Sequence, residues 1–358
     1  MKVEKLQDVC LISKGKTITK ATSVEGNVPV IGGGLGPTYY HNIANVKAPV
    51  ITISASGANA GFVNFWDEPI WASDCSTIIE KPGSPAIIGY IYKFLQGSQE
   101  FINSKLRKGS AQPHVYSSDI GQLRIPLPSI IEQKQIVEKL DKTFVEIASL
   151  EKNLQLKEEK TNQLLQSMLS DTFNNTEDIY MKVTKLGEIC EMYQPKTIST
   201  KEMVPGGKYT VFGANGAIGK YDKYNHESPQ LLVTCRGATC GSVNISEPFS
   251  WINGNAMVIK PKENLVTFGY LKYAFLGGIN VSGAITGSAQ PQITRTTLEQ
   301  ILIPTPSIDY QCLAVEKLDK VFAEIDKVKI QISTEKKQIA SLQQSILSNA
   351  FKFDEKAA

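Results

Sequence analysis

Apolar positions along this chain follow two kinds of pattern in turn. Residues 1–128 and 179–306 carry short β-branched runs stopped by glycine, and residues 129–178 and 307–358 carry a long helical period. Val50-Ile51-Thr52-Ile53 and Leu231-Leu232-Val233-Thr234 read as short buried strands. Ile78-Ile79 and Val258-Ile259 read as strands ending at turns. Ile87, Ile88, Ile91, Tyr92 and Leu95 follow helical spacing, which predicts one helix within 85–106 and a counterpart within 264–277. Each globular stretch is therefore expected to be a mixed α+β domain with a curved, bulged sheet.

Ile125-Pro126-Leu127-Pro128 and Ile303-Pro304-Thr305-Pro306 end these stretches. Proline lacks an N–H and biases its predecessor to extended geometry, so neither string can be helix interior. Ser129 and Ser307 then stand where an N-cap or its predecessor belongs. Beyond them, Ile136, Leu140, Thr143, Ile147, Leu150, Leu154, Lys157, Thr161, Leu164 and Met168 alternate steps of three and four. Ala314, Leu318, Val321, Ile325, Val328, Ile332, Glu335, Ile339, Leu342 and Ile346 do the same. These are heptad seams. A helix over 132–170 would be ~58 Å long at 1.5 Å per residue, longer than a small domain is wide, so the seam needs a partner. The chain supplies one of matching length. The short link around Asn174–Asp178 favours antiparallel pairing, a dumbbell with pseudo-two-fold symmetry. Lys157 and Glu335 interrupt the seams at equivalent places, either setting register or lying at a wet edge.

The same landmarks occur twice, at an offset near 180. Lys5-Leu6-Gln7-Asp8-Val9-Cys10 returns as Lys185-Leu186-Gly187-Glu188-Ile189-Cys190, and Val30-Ile31-Gly32 returns as Val211-Phe212-Gly213. The string Ser56-Gly57-Ala58-Asn59-Ala60-Gly61 is matched by Arg236-Gly237-Ala238-Thr239-Cys240-Gly241, and Trp71 by Trp251. Gly109-Ser110-Ala111-Gln112-Pro113 returns as Gly287-Ser288-Ala289-Gln290-Pro291, and Lys139-Leu140-Asp141-Lys142 as Lys317-Leu318-Asp319-Lys320. The period is too long for a solenoid. It describes a duplicated domain-plus-helix unit, an object that meets two similar things.

Charge adds a little to this picture. The net charge of +3 is unevenly spread. Residues 1–130 hold 12 basic and 9 acidic side chains, and residues 181–307 hold 12 and 8, so both globular parts are mildly basic. Residues 131–180 are acidic, with 6 and 10. Mild basicity suits nucleic-acid contact without demanding it. No apolar run approaches the ~20 residues of a membrane span and no secretory signal opens the chain, so a cytoplasmic protein is expected.

Catalytic chemistry is hard to find. Gly15-Lys16-Thr17 resembles the end of a P-loop, but Cys10 stands where its first glycine is required. The glycine run 32–36 is followed by Pro37, which suits a turn better than a dinucleotide site. His41, His114 and His226 sit at no ligand spacing to the six cysteines, so zinc and other metals are not expected. No Asn-Pro-Pro-aromatic string of the amino-methyltransferase kind occurs. A catalytic role is therefore not expected; a scaffold with two ligand-binding domains on a coiled coil is one reading that remains open.

Gly109-Ser110-Ala111-Gln112, Ile125-Pro126-Leu127-Pro128 and Glu132-Gln133-Lys134-Gln135-Ile136 resemble strings of the specificity subunits of Type I restriction–modification systems. Gly287-Ser288-Ala289-Gln290, Ile303-Pro304-Thr305-Pro306 and Tyr310-Gln311 repeat the resemblance in the second half, as does Val233-Thr234-Cys235-Arg236-Gly237-Ala238. Ser54-Ala55-Ser56-Gly57 departs from it, lacking the arginine of Arg236. The resemblance implies two target recognition domains, 1–128 and 179–306, each reading half of a split double-stranded DNA sequence. It implies spacer helices over 129–178 and 307–358 that dock two methyltransferase subunits and, through them, restriction (motor-nuclease) subunits. S-adenosylmethionine would lie in the methyltransferase partner, with no cofactor in this chain.

Base edges are read by Arg, Lys, Asn, Gln, Ser and Thr, while lysines position the DNA backbone. Candidate DNA contacts in the first domain are Lys14, Lys16, Thr17, Lys20, Tyr39, Tyr40, His41, Asn42, Lys105, Arg107 and Lys108. In the second they are Lys196, Lys201, Tyr221, Lys223, Arg236 and Arg295. Any one lysine could equally be a solvated surface charge, and Tyr39-Tyr40 could be half-buried core. Gln112 and Gln290, shared by both halves, suit a structural turn better than discrimination between bases. Ser56 against Arg236 suits discrimination.

Overall fold

The computed structural model describes residues 2–174, 182–287 and 290–351. Residues 175–178 of the expected linker, and Ser288 and Ala289 of the second Gly-Ser-Ala-Gln-Pro string, lie outside them. The chain divides into two compact units whose borders fall inside the two long helices, one unit holding residues 1–154 and 333–358, the other 155–332.

In the first unit a four-stranded antiparallel sheet orders Cys10–Lys14, Cys75–Glu80, Val50–Ser54 and Val63–Trp66. All five residues of Val50–Ser54 are buried, the polar Thr52 and Ser54 among them, as befits a central strand. A second sheet has Val28–Ile31 between Pro37–His41 and Trp71–Ala72, with Val30 and Ile31 running parallel to Trp71 and Ala72. The expected bulged sheet is thus divided, and a two-stranded pair adds to these two sheets. The bulge is present, as a register shift between Val30 and Ile31, and the glycine run 32–36 then turns the chain back as Pro37–His41. Lys2–Lys5 pairs antiparallel with Arg124–Leu127, so the chain's first strand closes against its last before the helix. Pro126 is tolerated because this sheet has only two strands.

The second unit repeats the plan. Cys190–Tyr193, Ala256–Pro261, Leu231–Thr234 and Val243–Ile245 form the four-stranded sheet. Gly216–Tyr221, Tyr209–Gly213 and Trp251–Ile252 form the smaller one, with a register shift between Val211 and Phe212. Val183–Lys185 pairs with Leu302–Pro304.

The helix expected within 85–106 comes in pieces. Ile88–Gly97 is regular, Gln99–Phe101 follows, and Ile102–Leu106 is a π turn. Ser98 interrupts it by returning its hydroxyl to the Phe94 carbonyl at 2.9 Å. Phe268–Tyr273 likewise runs into a π turn, Ala274–Gly278, where Gly277 leaves helical geometry.

The long helices are Ile130–Asn174 and Ile308–Phe351. Ser129 caps the first with a capping box: its hydroxyl accepts from the Glu132 N–H at 3.3 Å and Glu132 accepts from the Ser129 N–H at 2.8 Å. Ser307 caps the second through the Tyr310 N–H at 3.4 Å, without a reciprocal partner.

The helices run antiparallel. In the first unit the start of one helix, Ile136, Val137, Leu140 and Phe144, shares a core with the end of the other, Ile346, Leu347, Ala350 and Phe351. In the second unit Leu165, Leu169 and Phe173 share a core with Ala314, Val315, Leu318 and Phe322. Phe351 lies edge-on to Tyr90 with ring centres 5.2 Å apart, and Phe173 against Tyr270 at 4.8 Å.

Half of each predicted seam keeps its register. Leu140, Ile147, Leu154, Leu318, Ile325 and Ile332 are buried. The alternate positions drift by one residue: Leu150 and Leu164 are 50% and 55% exposed and Leu342 is 49% exposed, while Phe144, Leu165 and Leu347 turn inward. A helix of 3.6 residues per turn slides against a strict heptad, and where apolar residues adjoin, as in Leu164-Leu165, sequence spacing cannot choose. Lys157 is exposed and Glu335 half-buried.

Candidate nucleic-acid interface

At one end of each four-stranded sheet a tight turn carries the Ser56/Arg236 difference. The turn joins Val50–Ser54 to Val63–Trp66 and needs left-handed backbone at Gly57 (φ 81°) and Gly61 (φ 93°), which glycine adopts without a Cβ clash. Gly237 and Gly241 repeat it at 88° and 89°. The proline that ends each Gly-Ser-Ala-Gln-Pro string, and the residue two positions beyond it, bond to this turn. Gly57 N–H donates to Pro113 O at 3.0 Å and Val115 N–H to Ala55 O at 2.9 Å. In the second domain Gly237 N–H donates to Pro291 O at 3.2 Å and Ile293 N–H to Cys235 O at 2.9 Å. The backbone at Pro113 and Val115, and at Pro291 and Ile293, braces the turn that carries the variable residue. Gln112 and Gln290 are exposed beside it.

The neighbours of the turn differ between the domains. Ser56 donates its hydroxyl to the Asp74 carboxylate, and the Ala55 N–H reaches Asp74 O at 3.1 Å. In the second domain Arg236 replaces Ser56 and, at the repeat's offset, Gly254 replaces Asp74. Arg236 is exposed and makes no ion pair among the described residues.

The Lys14–Lys20 segment is tied to the same region. Gly15 N–H donates to Cys75 O and Lys16 N–H to Ala72 O, both at 2.8 Å. Trp71 Nε1 donates to Lys16 O at 2.9 Å, Ile18 N–H to Ser73 Oγ at 3.3 Å, and the Tyr39 hydroxyl to Ile18 O at 2.8 Å. Lys14, Lys16, Thr17 and Lys20 are left at least partly exposed, and Tyr39 is half-buried. Arg107 Nη2 donates to Ala58 O at 3.0 Å, so its guanidinium also holds the turn. Lys108 pairs with Asp119 at 2.7 Å, which neutralises it, and Lys105 is exposed on the π turn. Tyr40 and Asn42 are exposed. His41 is withdrawn from the surface: it is buried edge-on to Trp71 at 4.9 Å, with Nδ1 accepting from the Val24 N–H at 3.0 Å.

In the second domain Lys196, Lys201 and Lys223 are exposed. Asn253 braces the loop between the first two through the Ile198 N–H at 2.9 Å. Tyr221 is half-buried edge-on to Trp251 at 5.3 Å. Arg295 is exposed but paired with Glu299 at 2.7 Å.

Two kinds of positioning residue escape sequence reasoning. Asn45 clasps Ala72 with two bonds, Nδ2 to O at 2.9 Å and N–H to Oδ1 at 2.7 Å, and Asn225 clasps Ile252 in the same way at 3.0 and 2.8 Å. Their recurrence at the offset of 180 was the available signal. Asp74 had no such signal, since its counterpart is glycine. The titratable groups are those of packing sites. Burial pushes the thiols of Cys10, Cys75 and Cys190 up to about 12, so these thiols stay protonated and unreactive. Burial, with Lys260 nearby, lowers the His226 pKa, and its Nε2 meets the Tyr193 hydroxyl at 2.8 Å.

The model of the Type I restriction modification DNA specificity domain matches residues 1–159 and again 179–338. The chain belongs to this family. Both halves are copies of the specificity domain, and specificity subunits are a non-catalytic type. The MjaVIII specificity subunit of Methanocaldococcus jannaschii is 25% identical over 331 residues, 80% of this chain and 76% of that one. The EcoprrI specificity subunit of Escherichia coli is 27% identical over 150 residues, and that match spans 40% of this chain and 36% of the relative. The same fold occurs in a chain solved to explain complex assembly and conformational transition of the type I R–M system, at TM-score 0.77 and 17% identity over 98% of this chain and 97% of that one. The HsdS subunit from Thermoanaerobacter tengcongensis aligns at TM-score 0.54 and 16% identity over 99% and 97%. Among the described residues no helix is long and apolar enough to cross a membrane.

Proposed function

We propose that each globular domain reads one half of an interrupted, asymmetric DNA target. The paired long helices set the gap and dock two methyltransferase subunits, through which motor-nuclease subunits join. S-adenosylmethionine belongs to the methyltransferase partner in this reading. The observation that carries it is one braced turn built twice with opposite chemistry at its tip. The exposed guanidinium of Arg236 suits the O6 and N7 acceptors of guanine. The Ser56–Asp74 pair offers carboxylate acceptors, which suit the amino groups of cytosine or adenine. The exposed lysines, Lys14, Lys16, Lys20 and Lys105 in one domain and Lys196, Lys201 and Lys223 in the other, suit phosphates.

Exchange of residues 1–128 for the first domain of another family member tests this. Methylation by the assembled complex is expected to change in one half-site word and keep the other. Retention of both words after the exchange would refute the reading.

A further inference from the structure

We propose that Gln133 and Gln311 fix the angle at which each long helix leaves its domain, and through that angle the gap between half-sites. The inference rests on the two-domain reading above and assigns its spacing to particular residues. Both amides have no solvent exposure and stand in the first turn of their helices. Gln133 Nε2 donates to Pro85 O at 2.7 Å and Pro128 O at 3.0 Å, and its Oε1 accepts from the Ile87 N–H at 3.0 Å. Gln311 Nε2 donates to Leu265 O and Pro306 O, both at 3.0 Å, and its Oε1 accepts from the Thr267 N–H at 2.8 Å. One side chain thus ties three pieces together: the loop entering the domain's own helix, the end of the proline-bracketed strand, and the long helix.

A primary amide has two N–H donors and a carbonyl acceptor, and both of these use all three functions. A buried amide without partners is costly, so rotating the helix away would break a whole set of bonds at once. One turn on, Val137 and Val315 lie so close to Gly89 and Gly269 that a Cβ at either glycine would come within 3.6 and 2.9 Å of a valine methyl. A further turn on, Asp141 takes Lys93 at 2.6 Å, while Asp319 takes Lys272 at 3.3 Å and the Tyr273 hydroxyl. The acidic tether changes its partner between copies, but the amide keeps the same three bonds. The angle matters because the arm is long. A helix of 45 residues is ~67 Å long, so a tilt of ~3° at its base moves the far end ~3.5 Å, about the rise of one base pair.

The test uses the full chain assembled with its methyltransferase partner, with methylated sites read across a genome by single-molecule sequencing. Gln133→Met and Gln311→Met preserve volume and remove all three bonds. The expected result is the wild-type half-site words at gaps spread to one base pair on either side of the wild-type gap. Gln133→Glu keeps the acceptor and loses both donors, and the same spread is expected if the methionine variant fails to assemble. Weaker methylation at an unchanged gap in every variant would overturn the proposal, because the amides would then serve stability alone. A wild-type complex that methylates an unsplit word would instead sink the two-domain reading itself.

Discussion

Tyr90 and Tyr270 occupy the same place in the two domains, both fully buried. Tyr90 donates its hydroxyl to Pro126 O at 2.9 Å, whereas the Tyr270 hydroxyl has no partner among the described residues. Burial pushes the Tyr90 pKa up to about 12 and raises that of Tyr270 as well, so both stay neutral donors. The two truncations should therefore differ. Tyr90→Phe is expected to cost about 1 kcal/mol, the net worth of a hydrogen bond. Tyr270→Phe should leave stability unchanged or raise it, because it removes an unsatisfied polar atom. Equilibrium denaturation of the two variants checks the contrast. At this scale the sequence showed which residues correspond but not what each one touches. His41 stood among the candidate DNA contacts, and only the fold showed its ring buried edge-on to Trp71. Arg107, Lys108 and Arg295 looked like free cations, yet one holds a carbonyl and two hold carboxylates.

Each long helix has its first turns on one domain and its last aromatic residue on the other domain's core. Phe351 packs on Tyr90 and Phe94, and Phe173 on Tyr270. Phe173 also fills the space beside Gly278, where any Cβ would strike its ring. Phe351→Ala is expected to destabilise the first unit by about 3–5 kcal/mol, and Phe173→Ala the second by a similar amount. Hydrogen exchange resolved by peptide should show each loss confined to its own unit. Uniform loss across both units from either variant would contradict the split. The existence and approximate length of these helices were legible from the heptad steps, the proline brackets and the serine caps, and their antiparallel direction from the short link between the halves. Their rotation was not. An apolar stripe constrains rotation only to within one residue position, and Leu150 and Leu164 fell outside a seam that Phe144 and Leu165 entered. The sheets show the same limit: short apolar runs announce strands but not which strands meet.

For the whole molecule, the two braced turns and the lysines around them define where DNA is expected. Duplex binding should weaken steeply with salt. Replacing Lys14, Lys16 or Lys20 with alanine should lower the slope of log K against log salt by about 0.9 for each phosphate that is no longer neutralised. An unchanged slope across all of them would place the DNA elsewhere. The sequence by itself determined the duplication, the order of domains and helices, the family, and the absence of familiar catalytic motifs. Those properties are written in residue types and spacings, which a linear repeat displays directly. Only the tertiary structure decided that Ser56 leans on Asp74 while Arg236 is exposed without an ion pair among the described residues, and that Gln133 and Gln311 each join three segments. Apart from the bonds to Pro128 and Pro306, those contacts join residues 18 to 48 positions apart, and chain closure over such distances is set by the packing of the whole core rather than by any local pattern.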